Sequence, residues 1–180
     1  MVGLPALGKS TITKKLFKTY GKNDVPFVYS TDGYIESVAT AQGKTYNEVF
    51  ANTIEEATEH MNDFLQYAID DGRDVIWDQT NLSVKKREKI INRMKQAGYD
   101  IDCICIMPPD VLAKHSTAPE DYKAACDEWA ERLMHRPGKT IPTNVIVNMI
   151  TSFVPPIIEE GFNKITFYDM DGAIIAIDYK

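Results

Sequence analysis

Near its start the chain reads Gly3-Leu4-Pro5-Ala6-Leu7-Gly8-Lys9-Ser10, which fits the pattern G-x-x-x-x-G-K-[ST] without a gap. Glycines let the backbone curl so that its N–H groups point at phosphate oxygens, and a following helix adds its positive N-terminal end. The lysine of this pattern places a mobile charge at the β- and γ-phosphates, and the serine places a hydroxyl on Mg²⁺. The residues from Gly3 to Thr11 are therefore predicted to bind ATP and Mg²⁺, with Lys9 as a catalytic group and Ser10 as a metal ligand.

Beyond this loop, helical and strand patterns alternate along the chain. Helical periodicity covers residues 10–20, 47–71, 84–97, 120–134 and 142–152, and apolar or β-branched runs mark strands at 25–29, 74–77 and 101–107. Two more runs, 164–168 and 173–179, flank Met170-Asp171-Gly172, which predicts a hairpin. The alternation predicts an α/β fold of the P-loop NTPase type, a three-layer sandwich. Its sheet should be mostly parallel, with helices on both faces and a C-terminal β-hairpin.

Length and composition set limits on the organisation and on the partners. With 180 residues, we expect one domain over 1–180, with a lid segment near 115–140. Only Met1 and Val2 stand before Gly3, although such a loop follows a buried strand, so we expect more of that strand upstream. The net charge of −6 means that a polyanion would need a local basic patch. We see no signal peptide and no membrane-spanning run, so we expect a cytoplasmic protein with no membrane partner.

Acidic residues follow two of the predicted strands. Asp32 lies in Thr31-Asp32-Gly33-Tyr34, directly after the first strand, and Asp78 follows the strand that ends at Trp77. The carboxyl ends of parallel strands face the ligand crevice of an open sheet. Asp32 is therefore a candidate general base for an attacking hydroxyl, with a turn or helix cap as the structural alternative. Asp78 is a candidate for the Mg²⁺ shell, and a strand-to-helix cap at Asn81 or Ser83 is compatible with that role.

Two groups of basic residues are further candidates. Arg132 and Arg136 stand near the end of a predicted helix, where arginine can neutralise transition-state charge from a lid. The alternative is an exposed helix end favoured by the helix dipole. The helix over 84–97 carries a second group, which would lie mostly outward and could meet a phosphate backbone or form a solvated face. Its members are Lys85, Lys86, Arg87 and Lys89.

Taken together, these stretches resemble the polynucleotide 5′-hydroxyl kinases of the bacteriophage and repair type, within the wider zeta-toxin-like group of P-loop kinases. The matching stretches are 3–11, Thr31-Asp32-Gly33-Tyr34, 75–82 with its D-x-T-N-L form, 132–142 with an R-x-G-K-x-I-P-like ending, and 153–162, which reads F-x-x-P-x-x-x-E-G-F. The resemblance implies transfer of the γ-phosphoryl group of ATP to a 5′-hydroxyl of a nucleic acid. It also implies that Asp32 is the base and that Arg132 or Arg136 acts from the lid.

The chain departs from this family at the residue after Tyr34. The bacteriophage enzymes carry Asp-Asp-Tyr-Arg there and use the arginine to hold the phosphate of the substrate strand, whereas this chain has Ile35. Leu7 also replaces the usual small residue of the loop. Two alternatives therefore stay open: a kinase of a nucleoside, a modified DNA base or another small hydroxyl compound, and a nucleotide-binding switch or ATPase without an acceptor alcohol.

Overall fold

The computed structural model describes residues 1–21 and 24–180, and within them helices and strands alternate as predicted. Their order is α1 (Lys9–Phe17), β1 (Phe27–Tyr29), α2 (Thr31–Gln42), α3 (Tyr46–Asp70), β2 (Val75–Trp77), α4 (Val84–Gln96), β3 (Asp102–Ile106), α5 (Pro109–His115), α6 (Lys123–Met134), α7 (Thr143–Ser152), β4 (Lys164–Tyr168) and β5 (Ile174–Tyr179). The chain divides into two compact units. The first holds Met1–Lys9, Thr80–His135 and Ile141–Lys180, and the second holds Ser10–Gln79 and Arg136–Thr140.

Helices α2 and α5 depart from the predicted pattern. In α2 the signal is weak because a glycine stands in the first turn, yet the Ser30 hydroxyl caps the helix by accepting a hydrogen bond from the Gly33 N–H at 3.2 Å. For α5, the pair Pro108-Pro109 predicts only the end of a strand. Pro109 instead occupies the first helical position, where its missing N–H costs nothing.

The sheet of the first unit is built around β3. Strand β4 pairs parallel with it, and Cys103 and Cys105 both lie buried in the core. On the other side, the Val2 N–H donates to the Ile104 carbonyl at 2.7 Å, and the Ile106 N–H donates to the Val2 carbonyl at 2.9 Å. The chain therefore enters the glycine-rich loop from a parallel pairing beside β3.

The predicted C-terminal hairpin is confirmed, because β5 pairs antiparallel with β4. One carboxylate closes its turn: Asp169 Oδ1 accepts from the Asp171 N–H at 3.0 Å and from the Ala173 N–H at 2.8 Å. Gly172 takes the left-handed conformation, with φ of 84°, that a tight turn of this kind requires.

The second unit combines a two-stranded parallel sheet, β1 with β2, and the paired helices α2 and α3. Small and branched side chains fill the contact between the two helices: Ile35, Ala39, Val49 and Ala57. Ile35 is fully buried there, so the position where the bacteriophage kinases carry arginine serves helix packing in this chain. Within the described ranges, no helix is long and apolar enough to cross a membrane.

Arg87 corrects one expectation about α4, since it points inward and only 2% of it is exposed. Its guanidinium donates to both carboxylate oxygens of Glu160, at 2.6 and 2.7 Å. It also donates to three backbone carbonyls, those of Asn81, Leu82 and Val154, at 2.9–3.2 Å. The periodicity of a lysine-rich helix hides this residue, because sequence spacing does not show that a carboxylate 73 positions away will meet it. Arg87 is therefore unavailable to a nucleic-acid backbone.

We expect Arg87→Met to lower the free energy of unfolding by about 3–5 kcal/mol, because removing one partner of a buried ion pair leaves the other charge buried and uncompensated. Denaturant unfolding followed by circular dichroism measures this change. Lys89→Met is the matched control, since Lys89 is an exposed cation on the same helix and its loss should change stability by less than about 0.5 kcal/mol. Equal stability of the two variants would contradict the structural role of Arg87.

Candidate functional site

In the first unit, the stretch from Gly3 to Lys9 forms a loop whose backbone needs unusual dihedral angles. Ala6 and Gly8 have φ of 62° and 92°, in the left-handed region. A side chain at Gly3 would place its Cβ 3.3 Å from the Ile106 carbonyl oxygen, so the loop packs closely against the end of β3. This curled backbone is the conformation that turns successive N–H groups toward a bound anion.

Neighbouring elements of the same unit hold the loop in place. The Gly3 N–H donates to the Thr80 carbonyl at 3.0 Å, and the indole N–H of Trp129 on α6 donates to the Pro5 carbonyl at 3.0 Å. Leu4 and Leu7 are each only 1% exposed. The leucine at position 7, which departs from the usual small residue, thus serves as a buried apolar contact of the loop.

Lys9 ends the loop and begins α1, and its side chain folds back onto the loop backbone. Its ammonium group donates to the carbonyls of Gly3 and Leu4, at 3.0 and 2.8 Å. The positive charge is therefore held beside the curled backbone by two neutral acceptors. A phosphate group can compete with these carbonyls, because it adds the attraction between opposite charges to its hydrogen bond with the ammonium.

Arg132, one of the two predicted lid arginines, belongs to this first unit. It forms an ion pair with Glu128 one turn earlier on α6, with Nη2 to Oε1 at 2.6 Å. Its Nη1 also reaches the Met170 carbonyl in the hairpin turn, at 3.4 Å. The structure thus gives Arg132 contacts to its own helix and to the β4–β5 turn.

In the second unit, α1 carries the two hydroxyl residues that follow Lys9, and both Ser10 and Thr11 are exposed. Thr13, one turn after Ser10 on the same helix face, donates its hydroxyl to Asp78 Oδ2 at 3.3 Å. Asp78 therefore lies on the side of α1 that also carries Ser10. A second contact joins the two strand ends of this unit, because the Gln79 amide donates to the Thr31 hydroxyl at 3.2 Å.

The predicted Mg²⁺ ligands fit that ion by their chemistry. Mg²⁺ takes oxygen ligands, keeps several waters, and is commonly held by one or two carboxylates together with substrate phosphates. Ser10 and Asp78 supply one hydroxyl and one carboxylate, which suits this mode of binding. Among residues 1–21 and 24–180, no group of three or more histidine, cysteine, aspartate or glutamate side chains forms a separate cage for a metal ion.

Asp32 is the centre of a charged cluster at the start of α2. Its Oδ2 accepts from the Lys139 ammonium at 2.7 Å, and its Oδ1 accepts from the Tyr46 hydroxyl at 2.7 Å. The same ammonium donates to Glu36 Oε1 at 2.9 Å and stands 4.0 Å from the centroid of the Tyr46 ring. We define Asp32, Glu36, Tyr46 and Lys139 as the Asp32 cluster.

The cluster changes how its members titrate. Burial raises the pKa of Asp32. The hydrogen bonds from Lys139 and Tyr46, together with the positive charges of Lys139 and Arg136, lower this pKa by more than burial raises it, so the net shift is downward. Burial and the hydrogen bond to Asp32 raise the pKa of Tyr46. Asp32 is therefore an ionised acceptor at neutral pH, and Tyr46 is a neutral donor.

Asp32 is the one member of the cluster that reasoning from the sequence singled out as a site residue, and Lys139 is among the three that it missed. The available signal was its place in Arg136-Pro137-Gly138-Lys139, a stretch considered for its arginines alone. Arg136 belongs to the second unit and acts on Asp32 through its charge, whereas Arg132 belongs to the first. The two predicted lid arginines thus have different surroundings.

Known proteins of related sequence match most of this chain. A family model described as "AAA domain" matches residues 1–156. The curated relatives include 6-phosphofructo-2-kinase/fructose-2,6-bisphosphatase 4 of Rattus norvegicus, 30% identical over 155 residues, which are 76% of this chain and 32% of that protein. The corresponding enzyme of Aquarana catesbeiana is 30% identical over 143 residues, 71% of this chain and 30% of its own. The chain spans about a third of the length of these relatives.

A solved structure shows the same fold. It comes from the study of the PezAT chromosomal toxin-antitoxin system of Streptococcus pneumoniae, and it matches 98% of this chain and 68% of its own with a TM-score of 0.57 at 15% identity. The predicted α/β fold of the P-loop NTPase type is confirmed, and fold and loop together define a P-loop kinase-like domain. The chain belongs to the family described as "AAA domain".

We expect the Asp32 cluster to stabilise the protein in a pH-dependent way. Because the folded-state pKa of Asp32 is lowered, its contribution is present above the ordinary value of 3.8 and is lost as the pH falls through the lowered folded-state value. The side chain is 57% exposed, so the effect should stay below about 1 kcal/mol. Denaturant unfolding of the wild type and of Asp32→Asn, at several pH values from 7 to 3, measures it.

The stability advantage of the wild type over Asp32→Asn should shrink between pH 5 and pH 3. Asp63→Asn is the matched control, because Asp63 is an exposed carboxylate on α3. An advantage that is constant over this range would contradict the ionised, hydrogen-bonded state of Asp32.

Proposed function

We propose that this chain is an ATP-dependent kinase whose acceptor is an alcohol. The observation that carries the proposal is the phosphate loop itself, with its left-handed residues, its buried leucines and the Lys9 ammonium held over its carbonyls. Membership of a P-loop kinase-like family supports it, as does the 30% identity to relatives named as 6-phosphofructo-2-kinases.

The proposed reaction assigns a role to each part of the loop and of the Asp32 cluster. The backbone from Gly3 to Thr11 and the Lys9 ammonium bind the phosphates of ATP, and Ser10 and Asp78 hold Mg²⁺. When bound, Mg²⁺ neutralises charge on the β- and γ-phosphates. The acceptor oxygen forms a bond to the γ-phosphorus while the bond from that phosphorus to the β–γ bridging oxygen breaks. The hydroxyl proton passes to Asp32, and ADP leaves.

Asp32 suits the task of a base that acts late in the reaction. A carboxylate with a lowered pKa is a weak base toward an unreacted alcohol, but the alcohol becomes strongly acidic once its oxygen bonds to phosphorus. The main service of Asp32 is then to orient the hydroxyl and to receive the proton as the bond forms. The carboxylate keeps room for this, because two of its roughly four acceptor positions are used by Lys139 and Tyr46.

The proposal extends to the segment near 115–140 as a lid over ATP, with Arg132 or Arg136 neutralising charge on the transferred group. Arginine supplies this effect as a delocalised cation with several donors. The ion pair of Arg132 with Glu128 is about half exposed. Replacing Glu128 by a phosphate group as the partner of Arg132 therefore costs little free energy.

As the acceptor we propose a small hydroxyl compound, in preference to the 5′ end of a nucleic acid. Two observations weaken the nucleic-acid hypothesis that the polynucleotide kinase resemblance suggested. Ile35 is buried between two helices, and Arg87 is committed to Glu160, so both lose any role toward a phosphate backbone. The relatives named as 6-phosphofructo-2-kinases point to a small hydroxyl acceptor. A switch or ATPase without an acceptor alcohol would need a group that positions a water molecule, whereas a kinase needs a base aimed at an alcohol.

Asp32→Asn should lower kcat for phosphoryl transfer by roughly 10²–10⁴, with little change in ATP affinity, because a base acts on the chemical step. Transfer from [γ-³²P]ATP to a panel of a nucleoside, fructose 6-phosphate and a 5′-hydroxyl oligonucleotide measures this, with ATP binding followed separately. Lys9→Ala should abolish transfer to every acceptor, and Asp63→Asn should behave as the wild type. Unchanged turnover in both active-site variants would sink the kinase proposal, and loss of ATP affinity in Asp32→Asn would move that residue to the nucleotide site.

A second measurement separates the two acceptor classes. We expect turnover to be indifferent to oligonucleotide length, and acceptor binding to depend little on salt, because a small hydroxyl compound has no phosphate backbone. A nucleic-acid strand would instead give a slope of log affinity on log salt of about −0.7 per phosphate contact. A slope that steepens with length, and that flattens in Lys85→Glu/Lys86→Glu, would overturn the small-acceptor proposal, since both lysines are exposed on α4.

A further inference from the structure

Lys139 is a buried cation with an unusual set of partners. Only 9% of the residue is exposed, and its ammonium contacts two carboxylates and one aromatic ring, those of Asp32, Glu36 and Tyr46. Burying a lysine charge costs free energy unless it is paired, and here two carboxylates and the face of a ring supply the compensation. The two carboxylate side chains remain 57% exposed. The lysine, rather than the acids, is therefore the buried element of the cluster.

Contacts of the neighbouring backbone hold the segment around Lys139 in place. The Asn47 N–H donates to the Gly138 carbonyl at 3.2 Å, and the Asn47 side-chain amide donates to the Thr140 carbonyl at 2.9 Å. Gly138 has φ of 69°, and a Cβ there would stand 3.3 Å from the Thr45 Cβ. The segment Arg136–Thr140 thus lies tightly against the start of α3 and presents the ammonium from a rigid backbone.

This arrangement controls the orientation of the Asp32 carboxylate. One oxygen is held by Tyr46 from α3 and the other by Lys139 from the Arg136–Thr140 segment, so the carboxylate plane cannot rotate freely. Two further charged groups belong to these surroundings: Glu36, which shares the Lys139 ammonium, and Arg136, whose positive charge acts on Asp32. A base that must meet an acceptor hydroxyl gains from such fixed geometry, because misplacement by about 1 Å can cost a hundredfold in rate.

We propose that Lys139 is a positioning residue for the general base, which holds the Asp32 carboxylate ionised and oriented and makes its strength depend on the Arg136–Thr140 segment. The inference rests on the proposed role of Asp32. Lys139 acts through Asp32 and forms no bond to the acceptor. Glu36 competes for the same ammonium, so Lys139 and Glu36 should affect Asp32 in opposite senses: loss of Lys139 weakens the hold on the ionised form, and loss of Glu36 strengthens it.

The test titrates the Asp32 carboxyl by NMR in the full chain, alongside kcat as a function of pH. In Lys139→Met the Asp32 titration should move to higher pH by about one unit or more, because the cation that favours the charged form is gone. The acid limb of kcat should move with it, while ATP affinity stays unchanged. Lys139→Arg should restore most of both, and Glu36→Gln should move the titration in the opposite direction.

Lys18→Met is the matched control, since Lys18 is an exposed cation of the same unit and should leave both profiles unchanged. An Asp32 titration that stays in place in Lys139→Met, with a fall in thermal stability alone, would show a structural role only and overturn the proposal. If instead the titration moves as expected while Asp32→Asn keeps full turnover, the base assignment fails, and with it the role of Lys139 in catalysis. If Lys139→Met does not fold, Glu36→Gln and Lys139→Arg carry the test, and an unmoved titration in Glu36→Gln overturns the proposal.

Discussion

The buried guanidinium of Arg87 supports the part of the first unit from which the phosphate loop starts. It joins Glu160 to the backbone carbonyls of Asn81 and Leu82 in the segment before α4. That segment in turn receives the first residues of the chain, because the Asn81 amide donates to the Met1 carbonyl at 2.7 Å and the Thr80 carbonyl accepts from Gly3. A connected set of hydrogen bonds therefore links Glu160 to Gly3, the first glycine of the loop.

Such a support has a physical reason. A loop that binds phosphate exposes its N–H groups and cannot be stabilised by the ladders of a helix or a sheet. Its shape must come from contacts made by its carbonyls and its apolar side chains. Here Trp129 and Lys9 donate to loop carbonyls, and the loop's own Leu4 and Leu7 are buried. The loop is consequently preorganised, and little conformational entropy remains to be lost when a phosphate binds.

The Asp32 cluster solves a different problem in the second unit. In the proposed reaction, the carboxylate that receives the proton must be ionised, oriented and still accessible. Tyr46 and Lys139 meet the first two needs from two separate segments, and the partial exposure of Asp32 meets the third. Lys139 is tolerated in a buried position because Glu36 and the Tyr46 ring share its charge. The proposed chemistry of this protein therefore depends on a residue whose own side chain would touch neither ATP nor the acceptor.

By itself the sequence determined the features that are local in the chain. The phosphate loop, most helices and strands, and the closing hairpin follow from spacing, periodicity and turn chemistry within a few residues, so they could be predicted. Helix α2 was not predicted, because Gly33 disfavours a helix locally. The packing of Ile35 and Ala39 against α3 outweighs that cost, and it depends on residues distant in the sequence. Tertiary structure alone decided which charges are buried and paired. Arg87 meets Glu160 across 73 positions and Lys139 meets Asp32 across 107, and these long-range contacts distinguish the two buried cations from the exposed lysines of the chain.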